Sequence, residues 1–320
     1  MPLNKVQRCK ALPHNFITTN NKNKLNQKEN NMSTEVKNEL RQAEGKTETV
    51  GILSDKDLSI TTENGKTVIK GNVTVKVSDT NFIQYGIYIN EITKDGKENK
   101  CFSPMKKVME EYKSIADVGE DEADKIRITG NFNLFTSKNG DAKVGYKTNF
   151  VHKDISKNFT PHSEFNELEV YVTKVYDEMD SEQNETGRVI VKGYVPTYNS
   201  IEEISLVAEK DIAEAVKETY KKGDTVAFNG RIENNRITVT REIPVAIGKP
   251  KIETKTTYKN DIIIEGASEA YADSENEATQ KKAFNDEAIA IAIEKKNAEV
   301  KEPSTSDKPS GNKKGRTLGF

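Results

Sequence analysis

The chain has 320 residues, of which 34% are hydrophobic and 31% charged, and its formal net charge at pH 7 is −2. At ~150 residues per domain this length predicts about two domains, and the high share of charge predicts a small or divided core with polar extensions. No apolar run approaches the ~20 residues that cross a bilayer, and no signal peptide opens the chain. We therefore expect neither a membrane partner nor secretion.

The first 45 residues predict a disordered N-terminal segment, because they are polar and show no helical or strand period. Residues 28–31, Lys-Glu-Asn-Asn, precede Met32. Lys-Glu can be encoded AAG-GAG, a bacterial ribosome-binding sequence, and the two Asn codons would supply the spacer. We expect residues 1–31 to be upstream sequence read in frame, in a bacterial or bacteriophage source. The alternative is a disordered arm.

Residues 46–157 predict a first β-rich module. Apolar and polar residues alternate along its strands, which is typical of strands with one buried face. A helix with Ser103 as N-cap and Pro104 at its first position interrupts them. The strand pattern begins at Thr47, and the predicted strands after it are, in chain order, 68–77, 82–89, 125–132 and 142–151.

Residues 158–247 predict a second module with the same order. Asp211 is its candidate helix cap, and Asn234-Asn235 predicts a turn between the last two strands. Lys-Gly-x-Val occurs in both modules, at 70–73 and 192–195. The predicted strands are 168–175, 189–195, 204–207, 225–232 and 236–243.

Three strands, a helix and two strands, repeated, are the order of an OB-fold barrel. The predicted fold is therefore mainly β with short helices: two tandem OB-fold-like five-stranded barrels, a C-terminal helix and disordered tails. We expect the repeated glycines to mark bends where no side chain fits. They are Gly71, Gly130, Gly193 and Gly230.

Residues 248–301 predict a linker, one more strand and a helix over 275–299. That helix is too evenly apolar for a free surface helix. We expect it to cover a barrel, with a subunit contact as the alternative. Residues 302–320, rich in Pro, Gly, Ser and Lys, predict a disordered C-terminal tail.

Two cysteines and three histidines are too few for a disulfide framework or for most zinc or histidine-base chemistry. The acidic run at 120–124 matches no calcium loop. The sequence contains no phosphate-binding glycine loop, nucleophile motif or convincing acid–base pair. We therefore predict no enzyme, no cofactor and no metal site.

Residues 211–224, a helix ending in Lys-Lys-Gly, lead into a strand ending Gly230-Arg231-Ile232. This part of the chain resembles the second half of bacterial single-stranded DNA-binding proteins. The two-module layout is similar to the two-barrel single-stranded DNA-binding proteins of phages that infect low-GC bacteria. The resemblance implies a protein that coats and protects single-stranded DNA in phage replication or recombination, in the cytoplasm of a bacterial host.

The tip of the tail also resembles these proteins, whose disordered tails end in an apolar segment closed by Phe. Leu318, Gly319 and Phe320 are therefore candidate residues for binding replication or recombination proteins. The alternative function is a structural or assembly protein of a phage particle, which would use OB barrels for protein contacts.

Sequence-tolerant binding of a single strand requires aromatic faces for base stacking and cations along the backbone. The strand faces opposite the predicted core supply both. The candidate nucleic-acid-binding residues are Lys70, Asn72, Lys76, Phe82, Tyr88, Phe135, Tyr146, Arg188, Lys192, Tyr194, Tyr198, Arg231 and Arg236.

Each candidate also has a structural interpretation, in which the aromatics pack and the lysines are ordinary solvated residues. Residues 158–247 carry 10 basic against 17 acidic residues, which would repel a phosphate chain. Either these acids cluster in the turn around 177–185, or the second module binds proteins instead of DNA.

Overall fold

The computed structural model describes residues 40–198, 200–243, 251–273 and 281–301. The strands are β1 (Lys46–Glu63), β2 (Lys66–Lys76), β3 (Phe82–Asn90), β4 (Lys125–Thr136), β5 (Ala142–Lys153), β6 (His162–Met179), β7 (Glu185–Pro196), β8 (Ile201–Ala208), β9 (Thr225–Ile243) and β10 (Lys251–Ala267). The helices are α1 (Phe102–Glu111), α2 (Ile115–Val118), α3 (Ala213–Thr219) and α4 (Asp286–Lys301). None of these helices is long and apolar enough to cross a membrane.

The first barrel closes through the strand order β1-β2-β3-β5-β4-β1. Neighbouring strands in this barrel are antiparallel, except β3 and β5, which are parallel. Helix α1 lies between β3 and β4 along the chain. This is the order and the helix position of an OB fold. The alternation predicted from the sequence is confirmed, since Ile69, Val73, Ile83, Tyr85 and Ile89 all lie in the core.

The second barrel repeats this order as β6-β7-β8-β10-β9-β6, with β8 and β10 parallel. Its fifth strand is β10, which lies within the segment 248–301. The turn predicted at residues 234–235 is wrong, because β9 continues through it and pairs with β10 as far as Ile243. The fold class predicted from the sequence, two tandem OB-fold-like barrels with a C-terminal helix, is confirmed.

The two barrels share one ten-stranded sheet, because β1 pairs antiparallel with β6. The paired residues run from Lys46–Asn166 to Val50–His162. The first residues of β1 therefore bond β4 on one side and β6 on the other, while the rest of β1 pairs with β2. One strand thus closes the first barrel and joins it to the second.

A buried polar cluster lies at this junction. Thr49 Oγ1 is 2.9 Å from the Tyr85 hydroxyl and 2.7 Å from Ser163 Oγ, and the Tyr85 hydroxyl donates to Thr47 Oγ1 at 3.1 Å. Burial raises the pKa of Tyr85, so its hydroxyl keeps its proton. Because buried hydroxyls are costly without partners, this cluster favours one register between β1 and β6.

The repeated glycines occupy positions where a side chain does not fit, as predicted. A Cβ on Gly230 would lie 1.9 Å from the carbonyl oxygen of Ile263 on the paired strand. Gly71 has a φ of +138°, and a Cβ there would lie 1.9 Å from the carbonyl oxygen of Asp57. At Gly130 and Gly193, too, neighbouring backbone and side-chain atoms leave no room for a Cβ.

Both ends of the described chain pack on the second barrel. Arg41 donates two hydrogen bonds to the fully buried carboxylate of Glu169 and stacks 4.3 Å from the Phe284 ring. Phe284 and Ile289 form a small core with Tyr171. Helix α4 therefore covers the second barrel, as expected, although it begins at Asp286 and not at 275.

The predicted helix caps are wrong by one or two residues. Cys101 and Ile212 are the N-caps of α1 and α3, and neither uses its side chain as a cap. Ser103 and Asp211 therefore do not have the roles that the sequence predicts. The expectations for residues 1–31, for the tail 302–320 and for Leu318, Gly319 and Phe320 lie outside the described residues.

Replacing Gly230 by Ala should destabilise the protein, because the new Cβ would collide with the Ile263 carbonyl. We expect the free energy of unfolding, measured by urea denaturation, to fall by about 1–3 kcal/mol. Gly266 on β10 is the matched control, since nothing lies within 4 Å of a Cβ built there. Equal effects of Gly230→Ala and Gly266→Ala would contradict this account.

Tyr85→Phe should also destabilise the protein, because it leaves Thr47 and Thr49 short of a buried partner. We expect a loss of about 1–3 kcal/mol in thermal or chemical denaturation. Tyr146→Phe is the control: it too is a buried tyrosine of the first barrel, and its hydroxyl makes no hydrogen bond to the described residues. A Tyr85→Phe protein as stable as Tyr146→Phe would contradict the role of the polar cluster.

Candidate functional site

The outer face of β2 and β3 carries the polar and aromatic residues that the sequence places there. Cross-strand partners point to the same side of a sheet, and the pairs on this face are Lys70–Tyr88, Asn72–Gly86, Thr74–Gln84 and Lys76–Phe82. The predicted face therefore exists as one surface. Its chemistry changes along its length, because the two ends differ in exposure and in ion pairing.

A groove lies on the outer face of the first barrel, where β3, β5 and β4 adjoin. It encloses about 320 Å³. Its lining residues are Gly86, Ile87, Tyr88, Thr129, Asn131, Asn133, Lys147, Thr148, Asn149 and Phe150. The lining contains one cation, three amides and two aromatic rings, and no carboxylate.

Lys147 stands in the middle of this groove. It pairs with Gly86 on β3 and with Asn131 on β4, so the three residues form one row across the sheet. Its side chain is exposed and takes part in no ion pair among the described residues. A Cβ on Gly86 would meet nothing closer than 3.6 Å, so the fold does not require a glycine there. The missing side chain leaves the groove open beside Lys147.

Two exposed aromatic rings, Tyr88 and Phe150, line the groove with Lys147, and a third, Phe135, lies further along β4. Tyr88 is 57% exposed, Phe150 is 52% exposed and Phe135 is 46% exposed. Phe135 lies on β4 beside Gly145, two residues from the groove residue Asn133. Exposing rings of this size to water is unfavourable in free energy, and the rings offer flat apolar faces to a ligand.

Tyr146 does not belong to this surface. It is 6% exposed, and its ring centroid lies 5.7 Å from the centroids of both Tyr85 and Phe132 in the core. Burial raises the pKa of its hydroxyl. A base cannot reach this ring, and we correct the sequence-based assignment: Tyr146 is a core residue. Phe82 is half-buried at the other end of β3.

Glu63 links two predicted site residues at the edge of the groove. Its carboxylate accepts hydrogen bonds from Lys70 and, at 3.1 Å, from the Tyr88 hydroxyl. The Lys70 and Tyr88 bonds lower the pKa of Glu63, and the Glu63 bond raises the pKa of Tyr88. The Tyr88 ring is therefore fixed at its hydroxyl end, while Lys70 is already neutralised.

Lys76 and Lys192 are neutralised in the same way. Lys76 Nζ lies 2.8 Å from Glu120 and 2.9 Å from Asp79, and these hydrogen bonds raise its pKa. Lys192 Nζ lies 2.9 Å from Glu203, which also raises its pKa. A phosphate would have to displace a carboxylate to use either cation.

The two arginines on the barrel face of the second module are more heavily paired. Arg188 contacts Glu178 at 2.9 Å and Asp261 at 3.0 Å, with its side chain 15% exposed. Arg231 contacts three carboxylates. Burial opposes the charge of Arg231, but these hydrogen bonds outweigh burial and raise its pKa. The carboxylates around Arg231 are those of Glu209, Glu233 and Glu265, at 2.7, 2.9 and 2.8 Å.

The remaining candidates are scattered. Tyr194 is half-buried beside the small core under α4, and Tyr198 is 81% exposed in the turn after β7. Arg236 is exposed on β9 and makes no side-chain ion pair with the described residues. Asn72 is half-buried on β2. The acids at 177–185 do lie at the β6–β7 hairpin, as the sequence predicts.

One group of side chains has the atoms of a metal site. The ligand atoms of Glu48, His162 and Glu164 lie within 4.8 Å of one another at the β1–β6 junction. Arg127 already forms an ion pair with Glu48. Glu48 and Glu164 face each other across the two strands, so Arg127 offsets a repulsion there. We therefore interpret Glu48, His162 and Glu164, together with Arg127, as a group whose charges balance one another at the β1–β6 junction.

Lys147 and Phe150 are not among the site residues that the sequence predicts. Strict alternation along β5 would place them on opposite faces, but the register shifts between Thr129 and Asn131, and both residues line the groove. A bulge re-aims side chains in this way without a distinctive sequence. The only sequence signal for Lys147 is that it lies opposite a glycine, Gly86, on the adjacent strand. This signal can be recognised only when the pairing of β3 with β5 is known.

Comparisons with known proteins match this chain to one family model and to several solved structures. A family model described as YorF matches residues 43–306. No curated protein matches the sequence. The wild-type single-stranded DNA binding protein from Thermus aquaticus is 8% identical, with a TM-score of 0.42, and the match covers 74% of this chain and 97% of that one. A deletion mutant of the same protein is 10% identical, with a TM-score of 0.43, and the match covers 74% and 98%.

Proposed function

We propose that this chain, which belongs to the YorF family, binds single-stranded DNA in the groove on the outer face of its first barrel. The observation that carries the proposal is the composition of the groove. Tyr88 and Phe150 expose ring faces beside Lys147, and the lining contains no carboxylate. Binding without sequence preference uses this combination, because rings stack on bases and a cation contacts the backbone.

The exposed rings favour a single strand over a duplex. Stacking on Tyr88 or Phe150 requires bases with free faces, and the bases of a duplex are already stacked on one another. Asn131, Asn133 and Asn149 add amide donors and acceptors, which suit base edges and sugars of any sequence. The groove therefore offers contacts to each part of an unpaired nucleotide.

Long-range attraction contributes little to this binding. The formal net charge of the chain is −2, and the predicted cations Lys70, Lys76 and Lys192 are engaged by carboxylates. Affinity must come mainly from stacking, at about 1–3 kcal/mol per base. We expect a moderate dependence on salt, with a slope that corresponds to a few released counterions.

The role that we propose is coating and protection of single-stranded DNA, without catalysis, in the replication or recombination of a bacteriophage inside its bacterial host. The resemblance of residues 211–232 to bacterial single-stranded DNA-binding proteins supports this part of the proposal. Recruitment of replication or recombination proteins through residues 318–320 belongs to the same proposal.

Removing either ring of the groove should weaken binding. We expect Tyr88→Ala and Phe150→Ala each to raise the Kd for labelled oligo-dT about 5- to 150-fold, measured by fluorescence anisotropy, because each loses one stacked base. Tyr88→Phe keeps the ring and should bind nearly as well as the native protein. Tyr198→Ala removes a more exposed ring outside the groove and should leave the Kd unchanged. Absence of binding at low salt would overturn the proposal and favour the assembly role.

Removing the cation of the groove should change the salt dependence. We expect Lys147→Ala to reduce the slope of log K against log salt by about 0.7, the value for one phosphate contact on a single strand. Lys70→Ala is the matched control, since Glu63 already neutralises Lys70, and its slope should change less. Equal changes in the two variants would contradict the placement of the strand beside Lys147.

A further inference from the structure

Beyond the second barrel, β9 and β10 continue as a two-stranded ribbon. We call residues 236–243 and 251–259 the ribbon; its pairs run from Arg236–Tyr258 to Ile243–Lys251. Nearly all its side chains are exposed on both faces, including Tyr258 at 66%. An isolated two-stranded hairpin is marginally stable in water, so this ribbon gains from a partner.

The ribbon has a positive charge that the barrel below it lacks. It contains five cations and two anions, a net charge of +3. Among the described residues, Lys259 forms an ion pair with Asp261 at 3.2 Å, and the other four cations form none. On the barrel face, by contrast, Arg188 and Arg231 are surrounded by carboxylates. The cations of the ribbon are Arg236, Arg241, Lys251, Lys255 and Lys259.

The base of the ribbon is bonded to the first barrel through Asn81. The Asn81 side chain donates to the carbonyl oxygen of Ile232 at 3.0 Å and accepts from the backbone N–H of Asn234 at 2.9 Å. Thr80 adds two bonds: its Oγ1 donates to Asn235 Oδ1 at 3.1 Å, and its carbonyl oxygen accepts from the backbone N–H of Arg236 at 2.8 Å. Asn81 is 9% exposed, so its own two bonds are shielded from water.

These bonds place the start of the ribbon beside the start of β3. Arg236 is held against Thr80, two residues before Phe82. The outer face of β3 then leads from Phe82 to Tyr88 at the groove, a length of about 20 Å for six residues. Between them lies Gln84, which is exposed, polar and uncharged. The outer face of β3 therefore lies between the ribbon and the groove.

We infer that the ribbon of the second barrel extends the single-stranded DNA site of the first barrel, and that Asn81 is the residue that positions it. This inference rests on the proposed function. The occupant is the same single strand, because the unpaired cations of the ribbon complement phosphates, and Tyr258 opposite Arg236 offers a further ring for stacking. The second barrel thus contributes its ribbon to binding and not its barrel face.

The test compares short and long oligo-dT across a salt series, in the full chain. In the triple variant Arg236→Ala, Arg241→Ala, Lys255→Ala, we expect the salt slope for a long oligonucleotide to fall by about 2, with at least tenfold weaker binding at low salt. An oligonucleotide long enough for the groove alone should bind as before. The control removes three exposed lysines near α1, which should leave both slopes unchanged. It carries Lys100→Ala, Lys106→Ala and Lys107→Ala.

Asn81→Asp tests the positioning role, because a carboxylate oxygen would face the Ile232 carbonyl in place of the amide. We expect weaker binding of the long oligonucleotide and unchanged binding of the short one, which reports that the first barrel is still folded. An unchanged slope in the ribbon variant, or equal losses for both lengths in Asn81→Asp, would overturn the inference. If Tyr88→Ala and Phe150→Ala still weaken binding, the proposed function stands; if the native chain binds neither length, the proposed function itself fails.

Discussion

The structure depends on the antiparallel pairing of β1 with β6. Each of these strands closes its own barrel, so their pairing turns two barrels into one continuous sheet. The cluster of Thr49, Ser163 and Tyr85 fixes the register of that pairing from inside, and Arg127 balances the acids outside. A shift of one residue would move every buried side chain of these strands to the opposite face. The positions of the groove and the ribbon relative to each other follow from this register.

Ion pairing separates the surfaces that can bind an anion from those that cannot. Both barrels have cations on their outer faces that are held by carboxylates from other parts of the chain, as Lys76 is by Glu120 and Arg231 is by Glu265. Lys147 in the groove and four of the five ribbon cations form no ion pair with the described residues, and the fifth, Lys259, pairs with Asp261. Charge counted over a whole module is therefore a poor guide here. The second module is acidic overall, yet its ribbon is basic, and the arginines on its barrel face are neutralised by carboxylates.

The fold could be predicted from sequence because its signals are local. Alternation along β2 and β3 placed Val73 and Ile83 in the core, and the repeated glycines marked the closed positions. The site could be predicted only in part, since Tyr88 and Lys70 share a face but Lys70 is paired. Asn234 and Asn235 resembled a turn because Asn favours turns. In the structure the backbone of Asn234 and the side chain of Asn235 bond instead to Asn81 and Thr80, a long-range contact that no local pattern reveals.

The contact between Arg41 and Glu169 decides whether the two barrels are separable units. Glu169 belongs to β6 and is fully buried, yet its cation comes from a residue that precedes the first barrel in the chain. A buried carboxylate without its partner costs several kcal/mol, about 3–5 in measured cases. A fragment that begins after the first barrel would therefore carry an uncompensated charge in its core. The two barrels are separate in topology, but the second barrel depends on a residue encoded before the first. We therefore expect the second barrel to fold in another protein only when it is accompanied by the segment that contains Arg41.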